Sequence, residues 1–165
     1  MNFLEKIAEK KDSRTYFHSR YTSAKQNIKT STELIESMEV LIQNYHNIGL
    51  LDQHKQDFIE PKFSNELMKE IETFKMNYDI AHKSLYELSK YVDESKFDKK
   101  RNAKYNKLNE NFQNLTFKFE SLYSRFLVLF RTTPEKKQNI KNLFINTIRE
   151  LNLSIKTDDP IDVSL

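Results

Sequence analysis

Apolar residues recur along most of the chain in alternating steps of four and three. The first run is Phe17, Tyr21, Ala24, Ile28, Ser31, Ile35, Met38, Ile42 and Tyr45. This is a heptad seam, and it predicts one helix over residues 14–48. Leu34, Leu41 and Ile48 widen the stripe, as a bundle helix requires. Asp12-Ser13 reads as the N-cap of that helix and Gly49 as its stop. Before it, Phe3, Leu4 and Ile7 predict a short extra helix at the N-terminus. The second run is Leu67, Ile71, Phe74, Tyr78, Ala81, Leu85, Leu88 and Val92, entered through Ser64 as a cap. The third is Tyr105, Leu108, Phe112, Leu115, Phe119, Leu122, Phe126 and Leu129.

Thr133-Pro134-Glu135 starts a fourth, shorter helix, with Thr at the N-cap, Pro at the first helical position and an acid in the first turn. It carries Ile140, Leu143, Phe144, Thr147, Ile148 and Leu151. Residues 50–63 form the long connection. They hold Pro61 and the apolar Leu51, Phe58, Ile59 and Phe63, so the segment is expected to fold over the bundle end with a helical turn. Short connections elsewhere make neighbouring helices antiparallel. The fold class expected is therefore all-α: an elongated up-down-up-down bundle of three long helices, a shorter fourth and a short N-terminal helix. Residues 1–157 make one domain, and residues 158–165, opening on Asp158-Asp159-Pro160, a flexible tail. The rhythm resembles that of spectrin-like and other helical bundles, a likeness of architecture that carries no function.

Composition supports the pattern. Mean hydropathy is −0.75, a value compatible with disorder, but twelve Phe and eight Tyr supply the core that disordered chains lack. Glycine occurs once, at Gly49, too seldom for the hairpins of a sheet protein. The same scarcity excludes the glycine-rich phosphate loop, the dinucleotide fingerprint and the nucleophile elbow. Cysteine is absent, which removes disulfides, thiolate metal sites and thiol nucleophiles.

A bundle di-iron site needs two E-x-x-H pairs and two further Glu facing inward. The nearest match is Asp79-x-x-His82, and Glu33, Glu36, Glu39, Glu66, Glu70 and Glu72 all fall off the seams. The expectation is no enzyme, no cofactor, no metal and no small-molecule substrate. The longest apolar run, 126–130, is far short of the ~20 residues of a membrane span. Residues 1–11 lack the apolar core of a secretory signal, and the reading is a cytoplasmic protein.

Charge adds one asymmetry. The net charge is only +3, but antiparallel packing gathers cations at one end, where the first helix begins, the second turns into the third and the fourth ends. Arg14, Arg20, Lys96, Lys99, Lys100, Arg101, Lys104 and Lys107 are the candidate binding residues for a polyanion or an acidic partner, with Lys10, Lys11, Lys25 and Arg149 expected nearby. Lys100, Lys104 and Lys107 share one stripe in the first turns of the third helix, where the macrodipole disfavours cations. Helix stability does not explain them; solubility of a solvated charged end or a polyanionic partner does. Tyr16, Tyr21 and Tyr105 are expected near this end, but seam geometry makes two of them core residues, which provides no stacking platform for bases. Two functions follow. The first is a non-enzymatic helical bundle acting by protein–protein interaction, including self-association: an adaptor, inhibitor, immunity or assembly factor. The second is a nucleic-acid-binding accessory protein using the basic patch.

Overall fold

The computed structural model describes the backbone of residues 3–51, 53–93, 98–129 and 138–157, with side chains over 14–48, 61–90, 98–129 and 140–152 and at Leu4. It is an all-α bundle of α1 (Phe3–Leu51), α2 (Gln53–Asp93), α3 (Lys99–Leu129) and α4 (Gln138–Thr157). Among the described residues there is no strand, and no helix is long and apolar enough to cross a membrane. The expected Thr133-Pro134-Glu135 start, Lys96 and the 158–165 tail lie outside the described residues.

Three expected boundaries, Asp12-Ser13, Gly49 and the Ser64 cap, lie inside helices. The helix runs unbroken through Asp12 and Ser13 back to Phe3, so the short N-terminal helix is the first part of α1. Residues 3–11 (FLEKIAEKK) are mostly strong helix formers, and their propensity outweighs a capping signal that needs a break in the chain. Gly49 likewise lies inside α1. Its penalty of about 1 kcal/mol is too small to end a helix whose preceding turns are packed. The connection has become helix too: α2 begins at Gln53 and holds Pro61 inside it, where the ring removes one backbone hydrogen bond.

Burial follows the heptad seams. In α1, Phe17, Ala24, Ile28, Ser31, Ile35, Met38, Ile42 and Tyr45 are buried, and Tyr21 is partly so. In α2 the seam is buried from Leu67 to Leu88, and Phe63 joins it by stacking on Tyr45 at 4.1 Å. Ile71 and Tyr78 are 0% exposed and Phe112 is 2%. Phe74 and Tyr78 of α2 meet Phe119 and Phe112 of α3 at ring distances of 5.0 and 4.6 Å. Offset and tilted ring pairs of this kind add about 0.5–1.5 kcal/mol beyond area burial.

Cross-helix contacts set the directions. Arg20 meets Glu87, Ser23 meets Ser84, Ser37 meets Glu70 and Tyr45 meets Phe63. As numbering rises along α1 it falls almost one for one along α2, so the two are antiparallel. Phe17, Tyr21 and Gln43 of α1 meet Arg101, Lys104 and Arg125 of α3 in rising order, so these two are parallel. Ser31 is fully buried and returns its hydroxyl to the Asn27 carbonyl at 2.7 Å, which lets a polar residue sit in the seam.

The fourth helix packs on α3 and α2 and, among the described residues, makes no interface with α1. Phe144 sits against Phe119, Tyr123 and Phe126. Phe126 is covered as expected for the 126–130 run, whereas Val128 is exposed. Towards the end of α4, the Tyr78 hydroxyl donates to the Leu151 carbonyl and Asn152 donates to Glu120. These partners lie halfway along α2 and α3. Among the described residues the bundle therefore has four helices over part of its length and three over the rest. Arg149 stands at mid-height and not with the cations at the three-helix end.

The buried seam is testable by substitution. Phe112→Ala is expected to cost about 3–5 kcal/mol, from lost burial and the cavity left behind. Phe117→Ala, on the same helix but 67% exposed, should stay within about 0.5 kcal/mol. Urea unfolding followed by circular dichroism measures both.

Candidate binding groove

The three-helix end has its own small core. Phe17 and Leu88 are buried there, with Tyr16, Tyr21 and Tyr105 packed around them. Among the described residues, α4 takes no part in this core. On its outer side, the starts of α1 and α3 leave an open recess of about 690 Å³. Phe17 and Tyr21 border it as a stacked pair, 5.3 Å apart.

Cations line this recess. Arg14 and Lys25 come from α1, and Lys100, Arg101 and Lys104 from α3, with His18 and Thr22 between them. Among the described residues Asp98 is the single carboxylate in the lining, so five fixed positive charges there face one negative charge. Asp98 is the N-cap of α3, accepting from the Arg101 amide at 2.9 Å. It also lies 3.8 Å from the Arg101 guanidinium. Two ammonium groups, Lys25 from α1 and Lys104 from α3, each lie 5.9 Å from the Tyr21 ring centre. Among the described residues, Arg14, Lys25, Lys100 and Lys104 have no carboxylate within ion-pair distance.

Pairing elsewhere in the bundle is different. Arg20 donates to Glu87 at 2.9 Å and lies 4.0 Å above the Tyr16 ring. The hydrogen bond to Glu87 raises the pKa of Arg20 further above its ordinary value, and the guanidinium is committed to α2. Lys75 is likewise paired with Glu150. Of the candidate residues, Arg14, Lys100, Arg101 and Lys104 thus converge on the recess. Arg20 faces α2 instead. Lys99 and Lys107 are exposed outside the lining, and Lys96 lies outside the described residues. Sequence reasoning did not single out His18, Thr22 and Asp98 as neighbours of the recess. The N-cap signature of Asp98 before a helix start could have placed it.

The tyrosines bear out the seam geometry. Tyr16, Tyr21 and Tyr105 are partly buried against the small core, and none forms an open platform. Away from this end, His82 is buried, with its ring stacked on Phe112 at 5.4 Å. Among the described residues no group of three or more His, Asp or Glu side chains could hold a metal ion. Glu33, Glu36, Glu39, Glu66 and Glu72 are exposed as expected, but Glu70 is half-buried. One of its oxygens accepts from Ser37 at 2.8 Å and the other is buried without a partner, because Glu70 faces the α1–α2 seam. Comparison with protein-family models, curated proteins and solved structures finds no match to this chain. The fold and the recess define the class: an all-α bundle with a cationic groove at its three-helix end.

Two predictions follow from these electrostatics. Desolvation raises the pKa of Asp79 above its ordinary value, Lys75 opposes the shift and Glu150 adds to it. A carboxyl whose pKa is raised by folding adds stability in acid and loses it as pH rises through the folded value. Asp79→Asn should therefore gain stability relative to the parent as pH rises from 3 to 7, read as the difference between their urea midpoints. Lys100 stands in the first turn of α3, where a carboxylate suits the macrodipole and a cation does not. Lys100→Glu should raise the melting temperature by up to about 3 °C at low salt.

Proposed function

We propose that this protein is a non-enzymatic helical bundle that works by binding an acidic partner protein through the cationic groove at its three-helix end. The observation that carries this reading is the convergence of Arg14, Lys25, Lys100 and Lys104 on one recess, without carboxylate partners among the described residues. Clustered like charges oppose folding, and two of these stand near the N-terminus of α3. An arrangement that costs stability and finds no carboxylate partner among the described residues is explained by an anion that arrives from outside. The long packed seams hold the two walls of the groove in fixed register, so little ordering remains to be done on binding. The reading keeps the cytoplasmic setting expected from the sequence.

A second reading, nucleic-acid binding, is favoured by one observation. Lys100, Lys104 and Lys107 continue as an exposed row along α3 beyond the recess. Against it, Phe17 is nearly buried and Tyr21 partly so, which leaves the bases little aromatic surface to stack on.

Fluorescein-labelled poly-L-glutamate and labelled oligonucleotides, single- and double-stranded, separate the two in anisotropy titrations. Poly-L-glutamate should bind at low salt, weaken roughly tenfold or more between 50 and 200 mM salt, and lose binding in Lys100→Glu/Lys104→Glu. Binding that survives the charge reversal would refute the groove. Tighter binding of the oligonucleotides at equal salt would transfer the function to the second reading.

A further inference from the structure

We propose that the groove between α1 and α3 is a receptor for a phosphate monoester: a phosphorylated side chain on an extended segment of the acidic partner. The inference rests on the reading of this end as the contact face and adds the chemistry that the face selects.

Size is the first argument. The recess is about 690 Å³, within the range of sites that enclose a small group, and far smaller than the track needed to follow a nucleic-acid backbone. It is confined to the start of α3, with Asp98 at its margin.

Charge density is the second. A phosphomonoester brings −1.5 to −2 charges and three strong acceptor oxygens to one point. A glutamate brings one charge, and successive carboxylates of a peptide are spread along its backbone. Four cations from two helices around a single recess, without carboxylate partners among the described residues, match the concentrated anion better than the dispersed one.

The side chains are the third argument. Lysine binds phosphate as a mobile point charge, and Lys25 and Lys104 stand on opposite walls, each near the same Tyr21 ring. Their long stems allow both ammonium groups to turn onto one anion between them. Arg14 and Lys100 supply further donors at the rim, and the Thr22 hydroxyl another. The partly exposed Tyr21 ring borders the recess beside the carbon skeleton of the phosphorylated residue.

The test uses the full chain labelled with ¹⁵N and four probes: the peptide Ac-Gly-pSer-Gly-NH₂, its Ser form, its Glu form and inorganic phosphate. The phosphopeptide should move the amide signals of His18, Tyr21, Thr22, Lys25 and Lys100 to Lys104 in a saturable way. It should bind at least about fivefold more tightly than the Glu form, in keeping with the doubled charge. Inorganic phosphate should compete on the same signals. Lys25→Gln/Lys104→Gln should weaken phosphopeptide binding about tenfold or more, the weight of one or two charge-assisted hydrogen bonds. Its thermal melt should match the parent. If that variant melts early, Arg14→Gln/Lys100→Gln takes its place. Equal affinity for the Glu and phosphoserine peptides, shifts outside the groove, or undiminished binding in a folded variant would each overturn the proposal. So would tighter binding of an eight-residue oligothymidylate on the same signals. If poly-L-glutamate still binds while the phosphopeptide does not, this inference falls and the reading it rests on survives.

Discussion

The pairing of α1 with α2 along their heptad seams is the interaction on which the rest of the structure depends. It is the most extensive helix–helix interface in the molecule. It is held at intervals by Arg20 with Glu87, Ser23 with Ser84, Ser37 with Glu70, and Tyr45 stacked on Phe63. Slipping one helix by a residue would turn the seam by about 100° and carry buried aromatics into water. The register is therefore strongly specified, and α3 has one groove in which to lie, with Phe112 and Phe119 against Tyr78 and Phe74.

The unequal lengths of the helices then divide the bundle. Where α4 is present, Phe144 closes the core against three aromatic rings of α3. Where it is absent, the described core residues are Phe17 and Leu88, padded by half-buried tyrosines. A three-helix section buries less apolar area per residue than a four-helix one, and its surface is correspondingly open. The recess between α1 and α3 belongs to that section. The same end carries the cations, whose mutual repulsion opposes folding.

Much of this was legible in the residue pattern, for a clear reason. Alternating steps of four and three define one helical face, and the large aromatics on that face have nowhere to go but a core. Nearly every described seam residue from Phe17 to Leu151 is buried or partly buried accordingly. The helix boundaries were less legible. Asp12-Ser13 and Gly49 carry the local chemistry of a start and a stop, each worth about 1 kcal/mol, and the helix passes through both. Signals of that size decide a boundary only where the neighbouring turns are indifferent.

The candidate site was half legible. Helix order alone brought Arg14 together with Lys100, Arg101 and Lys104, because antiparallel topology places the start of the first helix beside the start of the third. Arg20 and Arg149 were grouped with them by the same logic, and the coordinates separate both. Arg20 turns to Glu87 on α2, and Arg149 stands at mid-height, next to the Glu150 that pairs with Lys75. The sequence by itself determined the helices, their buried faces and the sign of charge at one end, since these depend on periodicity and chain order. Tertiary structure alone decided which cations share a recess and which are neutralised. That depends on rotation about each helix axis and on where α4 stops, and neither is encoded in the spacing of residues along a single helix.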